Sequence, residues 1–407
     1  MRTDPQQLRL KATVWHIVFF PPQSGLLLLL DSVCLRRQFL FVARLSRLLR
    51  RCFGSGSKAD KPVGAYSVGG TPPDPTLVQR IKCAYEASMQ KWLGPGNSTW
   101  AEIGDRHSVI RRALLADDDA LKAILTDPGQ TDLFYGFDNL CCSIEKRNNK
   151  NRKRRPLLAV VSKRQIIRLG EAMGVRGVPN PEGGPIHTRA KTSATAEVEA
   201  TLADLDTVFG FRIEFPNPYP NEFGMPTSRG IATYRATQAL YQVFRLLQLT
   251  REFGPRIIEI GAGMGRTAGY AHRLGLSQYT IVDLPMANVA QASFLGQTLG
   301  PQSITLASEE PRAGAIRIVT PEWLRGCGET FDVVLNVDSM TEMDRKFADE
   351  YAAWIQANAT CFLSVNHDLN TFRVCDLAPL KRMSRRRFPY WMRDGYTEEI
   401  YVNAQTK

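Results

Sequence analysis

An apolar run, Ile257–Ile260, enters a glycine-spaced turn, Gly261-Ala262-Gly263-Met264-Gly265, and a helical pattern starts directly behind it. Glycines at this spacing let a backbone turn sharply and approach a ligand with no Cβ in the way. Glu259 stands two residues before the first glycine, where a carboxylate can accept from an ammonium group or its waters. A second acid, Asp283, ends the next strand-like run, Tyr279–Val282. It lies about 20 residues beyond the glycines, a position from which a carboxylate takes both hydroxyls of a ribose. The spacing predicts a nucleoside-containing cofactor held by Glu259, Gly261, Ala262, Gly263, Gly265, Asp283 and Leu284. The phosphate-cradling Gly-Lys-Ser/Thr is absent, which argues against a P-loop. NAD and S-adenosylmethionine both suit the two acids. The place of Glu259 and the turn's position in the last third of the chain favour S-adenosylmethionine, because a dehydrogenase needs a longer catalytic half behind its fingerprint.

Further polar groups fall at the ends of two later strand-like runs: Asn336, Asp338, Ser339 and Glu342, then Asn366, His367 and Asp368. Open α/β sheets bind ligands at these carboxyl ends, and Asn336 joins the expected cofactor set. Transfer of a group to a hydroxyl needs an in-line approach and a base for the proton. His367 is a candidate base because imidazole titrates near neutrality. Asp338 and Glu342 are the other catalytic candidates, with helix capping as their competing role. Asp338, Asn366 and Asp368 also suit Mg²⁺, which binds hard oxygen ligands and acidifies a hydroxyl; turn chemistry is the plainer reading of the same residues. Tyr219, Phe223, Tyr390 and Trp391, with Arg229 and Arg393, are candidates for the wall of an acceptor site. For Tyr390 and Trp391 the alternative is core packing.

These residues need a frame. From 256 onward, apolar strand runs alternate with helical patterns, which predicts an α/β fold with a parallel sheet covered on both faces. Upstream, Asp74 can cap a helix through Leu77, Ile81 and Tyr85. A second apolar stripe covers 114–125, and helices are expected over 156–174, 192–209 and 231–249. Segment 54–73 reads as a Gly/Ser/Pro linker, and 215–230, rich in Pro and Asn, as irregular structure that forms a lid or a connector. The expected organisation is a basic extension over 1–60, a mostly helical module over 61–250 with a basic insertion at 146–155, and a cofactor domain over 251–407.

The stretches EIGAGMGRTA (259–268), YTIVDLPMANVAQASFL (279–295), FDVVLNVDSMTEMDR (331–345), FLSVNHD (362–368) and FPYWMRDGYTEEIYV (388–402) resemble the bacterial sugar O-methyltransferases. Upstream, LFYGFDNL, IIRLGEAMGV and NPYPNEFGMPTSRG carry the same likeness, which spans about 74–402. The resemblance implies a Rossmann-like class I methyltransferase sheet, S-adenosylmethionine as donor, and a hydroxyl of a sugar or glycoconjugate precursor as acceptor. Other acceptors, a phenol or a polyketide, keep the same cofactor. A non-catalytic nucleotide-binding module with this fold is the reading from a different class.

The 407 residues carry a formal charge of +12. Residues 1–60 hold a local +7 and 146–155 another +7, so everything else sums to about −2. Basicity is confined to two appendages, which argues against a nucleic-acid partner for the core. None of the eight cysteines sits in a Cys-x-x-Cys pair; the expectation is a reducing, cytoplasmic compartment and no zinc site. No apolar run approaches the roughly 20 residues that span a bilayer. The stretch 39–53 reads as a basic amphipathic helix suited at most to weak peripheral membrane contact.

Overall fold

The computed structural model describes residues 64–94, 96, 99–136, 138, 140, 154–178 and 194–403. The extension 1–60, including 39–53, lies outside the described residues, as do 146–153 and 179–190.

The chain enters through a short strand, β1 (Ala65–Val68), and then α1 (Pro75–Met89). This helix begins where its sequence demands: the Asp74 carboxylate accepts from the Thr76 amide at 2.7 Å, and Pro75 takes the first turn, where its missing N–H costs nothing. Helices α2 (Thr99–Arg106), α3 (Ser108–Ala116) and α4 (Asp118–Thr126) follow. The stripe expected over 114–125 is therefore two helices. Asp117 leaves helical geometry at φ −146° and caps α4 by accepting from the Ala120 amide. Two longer helices, α5 (Arg154–Ala172) and α6 (Ala194–Phe209), complete this region.

The segment expected to be irregular instead contains a hairpin, β2 (Pro220–Thr227) and β3 (Gly230–Ala232). With β1 it forms a three-stranded sheet in the order β1-β2-β3. Its prolines misled the reading. β1 pairs with the first half of β2 and β3 with the second, so each proline needs a ladder partner on one side only. β1 likewise corrects the linker expected over 54–73.

Helix α7 (Tyr234–Phe253), capped by Thr233 onto the Ala236 amide, leads into the main sheet. Its strands are β4 (Ile257–Ile260), β5 (Tyr279–Val282), β6 (Ile304–Leu306), β7 (Ile316–Val319), β8 (Phe331–Val337), β9 (Ala359–His367), β10 (Ser384–Pro389) and β11 (Tyr396–Val402). They lie in the order β10-β11-β9-β8-β4-β5-β7-β6. Every pairing from β6 to β9 across the sheet is parallel; β11 and β10 form an antiparallel edge. Helices α8 (Arg266–Arg273), α9 (Pro285–Leu299), α10 (Pro321–Arg325) and α11 (Arg345–Asn358) connect the strands. From β4 the chain builds outward first to one side and then to the other. The carboxyl ends of β4 and β8 therefore flank the switch point of a Rossmann-like α/β sheet, where such sheets bind ligands.

Two strands of this main sheet were not legible. β6 is three residues long, too short to carry a pattern. β10 lies in a basic stretch with no apolar run, and every one of its residues is exposed. An edge strand with no buried face has no apolar alternation, and its arginines discourage pairing with another chain.

All four residues of β4 and all four of β5 are buried, as expected of parallel strands covered on both sides. One apolar cluster runs from Leu77 in α1, through Leu240 and Leu246 in α7, to Met392 in the connection between β10 and β11. A second cluster lies under α11. The expected boundary near 250 thus does not separate two cores. Leu240 and Leu246 are fully buried, and each contributes about 2 kcal/mol by leaving water. Among the described residues no helix is long and apolar enough to cross a membrane.

Candidate active site

Gly261, Gly263 and Gly265 have φ of +74°, +57° and +85°, a backbone that side chains rarely adopt. Gly261 is also pressed from outside: a Cβ there would lie 2.0 Å from Ser339 Oγ. The glycine turn and the end of β8 are therefore in contact, and Asp338 stands one residue from that contact.

Asp283, at the end of β5, accepts from its neighbour's amide, Leu284 N, at 2.8 Å and from Gln291 Nε2 at 2.7 Å. Gln291 Nε2 also donates to the Gly263 carbonyl at 3.0 Å, so one amide of α9 ties the acid to the turn. Burial raises the Asp283 carboxyl to about 6, against these hydrogen bonds and those from the Ala262 and Gly263 amides. The Gln291 carbonyl oxygen is buried with no partner. Glu259 is almost wholly buried within β4 and accepts from the Tyr279 hydroxyl at 2.8 Å. Burial pushes it up to about 7. Two carboxyls held above their usual range beside a glycine turn are the pattern of a candidate ligand site.

Asn336 is fully buried and has no free polar atom. Its amide donates to the Ile260 carbonyl at 2.9 Å and to Ser339 Oγ, and its oxygen accepts from the Met340 amide and Asn366 Nδ2. It fastens the ends of β4, β8 and β9 together and so supports the glycine turn from behind.

Beyond it lies a group of charges. Asp338 sits at φ +58°, a strained position for a non-glycine residue. Its Oδ2 accepts from the Tyr396 hydroxyl at 2.7 Å and from Arg393 Nη1 at 3.2 Å. Its Oδ1 is buried without a hydrogen-bond partner, 3.7 Å from His367 Nε2. Neither Asp338 nor Ser339 caps the turn that follows, so the capping role does not account for Asp338. His367 Nδ1 accepts from the Leu369 amide at 3.2 Å. That bond assigns the proton of neutral imidazole to Nε2, facing Asp338. Burial, followed by repulsion from Asp338, raises Glu342 to about 8. His367, Asp338 and Glu342 are thus brought together at one strand edge.

The acceptor-wall residues are not. Tyr219 is fully buried and bonded to Ser293 Oγ, and Tyr390 is buried with its hydroxyl on Gln242. Arg229 is spent on Asp206 and the Ile213 carbonyl. Trp391 is exposed, its indole N–H on the Arg168 carbonyl. Phe223 stacks at a tilt on Tyr66. Only Arg393 reaches the acid group. The oxygen set expected for Mg²⁺ also diverges: Asp368 turns to Arg387, and Asn366 is bonded to Asn336, Ser364 and Thr341. Among the described residues no group of three or more His, Cys, Asp or Glu side chains has the arrangement to hold a metal ion.

Several residues at the site carried no readable signal. Tyr396 reaches Asp338 only because β11 pairs with β9, which sets Tyr396 opposite His367. Arg266, immediately after the glycine turn, is buried and contacts Glu222 at 3.0 Å and Asp138 at 3.4 Å. Glu222 lies on the hairpin that the sequence concealed. Arg235, on the first turn of α7, lies in electrostatic reach of Asp338, Tyr396 and Asp138.

No protein-family model matches the chain, nor does any curated protein. Among solved structures it is similar to an O-methyltransferase from Bacillus cereus in complex with SAH, at 13% identity over 53% of this chain and 94% of that one, with a TM-score of 0.31. It is similar also to magnesium protoporphyrin IX methyltransferase from Synechocystis PCC 6803 with bound SAH, at 13% identity over 42% and 84% of the two chains, TM-score 0.31. An O-methyltransferase family protein from Burkholderia thailandensis matches at 12% identity over 65% and 99%, TM-score 0.30. Likenesses this remote carry no weight for the activity of this chain.

Proposed function

We propose that the protein is an S-adenosylmethionine-dependent O-methyltransferase acting on a hydroxyl of a sugar or glycoconjugate precursor. The observation that carries this reading is the pairing of Asp283 with the glycine turn, set beside the unpartnered Asp338 Oδ1 across the switch point. The residues fit the donor. Gly261, Ala262, Gly263 and Gly265 leave backbone open to a nucleoside, Asp283 and the orphaned Gln291 oxygen are acceptors for ribose hydroxyls, and Glu259 is an acceptor for the ammonium side. When bound, S-adenosylmethionine supplies an electrophilic methyl group.

The chain's own part is to orient an acceptor hydroxyl and take its proton. Asp338 is the base this geometry favours. One of its oxygens is held by Tyr396 and Arg393, which leaves the other aimed and free. Glu342, raised to about 8 beside it, is positioned to share the proton. His367, whose Nδ1 is occupied by a backbone N–H, faces Asp338 Oδ1 with Nε2 at 3.7 Å, beyond hydrogen-bond distance, and leaves that oxygen open to the acceptor. Mg²⁺ has no converging ligand set among Asp338, Asn366 and Asp368, so the proposal routes proton removal through the carboxylates.

An NAD-dependent enzyme is the competing reading. A dinucleotide sheet is built from two βαβαβ halves, whereas here the chain beyond β9 returns as the antiparallel pair β10 and β11. Acceptor screening with radiolabelled S-adenosylmethionine over sugars, uronic acids and phenols, with and without Mg²⁺ and EDTA, tests the proposal. Label transferred to a sugar-type hydroxyl in EDTA is the expected result. Transfer only to phenols, or only with added metal, would overturn the acceptor or the base assignment.

A further inference from the structure

The described arginines around the site divide into two kinds. Arg229, Arg245 and Arg266 each contact a carboxylate directly, on Asp206, Glu398 and Glu222. Arg393 is held by Asp338. Arg235 differs. Its guanidinium makes no hydrogen bond or ion pair among the described residues; its Nε, like those of Arg229 and Arg266, is buried without a partner, and the guanidinium carbon stands 5.2 Å from the centroid of the Tyr234 ring. Burial works against its charge, but Tyr234, Asp338, Tyr396 and Asp138 lie near enough to hold it protonated.

Burying a donor such as Arg235 Nε with no acceptor is costly, and a ligand that reaches the part-buried guanidinium would supply one. The geometry is specific about what is missing. Arg235 is an unused donor with a planar fork suited to a carboxylate. Asp338 Oδ1, in the same group of charges, is an unused acceptor suited to a hydroxyl. A molecule carrying both a hydroxyl and a carboxylate satisfies the two at once.

We propose that Arg235 is a carboxylate-binding residue of the site, receiving either the acid group of a hydroxy-acid acceptor, such as a uronic acid, or the methionyl carboxylate of the donor. The inference rests on the methyltransferase reading and narrows its substrate class.

Titration calorimetry on the full chain separates the possibilities. Wild type and Arg235→Met are titrated with S-adenosylhomocysteine and with 5′-methylthioadenosine, which lacks the amino-acid end. Each is then titrated with D-glucuronate, both alone and with S-adenosylhomocysteine saturating. If the carboxylate is the donor's, Arg235→Met weakens S-adenosylhomocysteine tenfold or more and leaves 5′-methylthioadenosine unchanged. If it is the acceptor's, both nucleosides bind as in wild type and glucuronate binding is lost from the variant. The same affinity for S-adenosylhomocysteine in both proteins, with the same glucuronate response or none in either, overturns the assignment. A wild-type protein that takes up no S-adenosylhomocysteine instead sinks the methyltransferase reading, and glucuronate alone then decides the Arg235 assignment. The unliganded variant should melt no lower than wild type, because no ion pair is broken; Arg235→Gln replaces it if Arg235→Met does not fold.

Discussion

The Tyr396 hydroxyl donates to Asp338 Oδ2 over 2.7 Å, joining the last strand of the sheet to the carboxyl end of β8. Asp338 is held at φ +58°, so its side chain points where Tyr396 and Arg393 fix it rather than where a relaxed backbone would send it. Tyr396→Phe removes a hydrogen bond to a carboxylate, an interaction of about 1.5–3 kcal/mol. The expected result is a methyl-transfer rate lowered roughly tenfold to a hundredfold, with S-adenosylhomocysteine affinity unchanged. A parallel loss of affinity would show that Tyr396 supports the cofactor turn and not the base.

Cofactor affinity should depend on pH through Asp283, whose carboxyl stands at about 6. Ribose hydroxyls donate to the ionised form and favour it, so binding expels the proton. Affinity for S-adenosylhomocysteine therefore climbs from pH 5 and levels off above about 7, by calorimetry in buffers of matched ionic strength. Asp283→Asn removes the part of the rise centred near pH 6 and leaves the part that Glu259 contributes near pH 7. A flat profile between pH 5 and 7 in wild type contradicts the role given to Asp283.

In its proposed role Glu259 trades stability for binding. The folded chain holds its proton more tightly than the unfolded chain does. Its contribution to stability is therefore present below pH 4.5 and lost as pH rises through about 7. The raised value corresponds to roughly 3 kcal/mol. Glu259→Gln keeps an acceptor for Tyr279 and removes the charge. It should melt higher than wild type at pH 8, match it near pH 4, and bind S-adenosylhomocysteine at least tenfold more weakly.

Gly261→Ala places a methyl group 2.0 Å from Ser339 Oγ and 2.5 Å from its Cβ, on a backbone at φ +74°. A cost of about 1–3 kcal/mol for the strained backbone alone, with loss of cofactor binding, is expected in denaturant unfolding. Adding Ser339→Gly removes the clash but not the strain, so the double variant recovers part of the stability. Full recovery would show that the positive φ carries no cost here.

The sequence displayed the parts of this site that rest on local backbone chemistry. Gly261, Gly263, Gly265 and the buried acid Glu259 are visible because a strand-to-helix turn of this kind accepts few other residues. Asp338, Glu342 and His367 were visible because they end apolar runs. The partners that aim them were not, because they arrive through pairing of distant strands: Tyr396 through β11 on β9, Glu222 through a hairpin masked by prolines. The aromatics Tyr219 and Tyr390 misled, since an aromatic with a polar tip reads the same whether it lines a pocket or is satisfied in a core by Ser293 or Gln242. Arg235 gave no signal at all; what distinguishes it is a missing partner, and only a structure shows that.

Thermal unfolding with S-adenosylhomocysteine, with NAD and without ligand, in wild type and Asp283→Ala, tests the central claim most directly. A ligand at a hundred times its Kd adds about 2.7 kcal/mol to the folded state. The account predicts a melting temperature several degrees higher with S-adenosylhomocysteine alone, and no rise in Asp283→Ala. A rise with NAD instead, or none with S-adenosylhomocysteine in wild type, would contradict it and return the glycine turn to a nucleotide site of another kind.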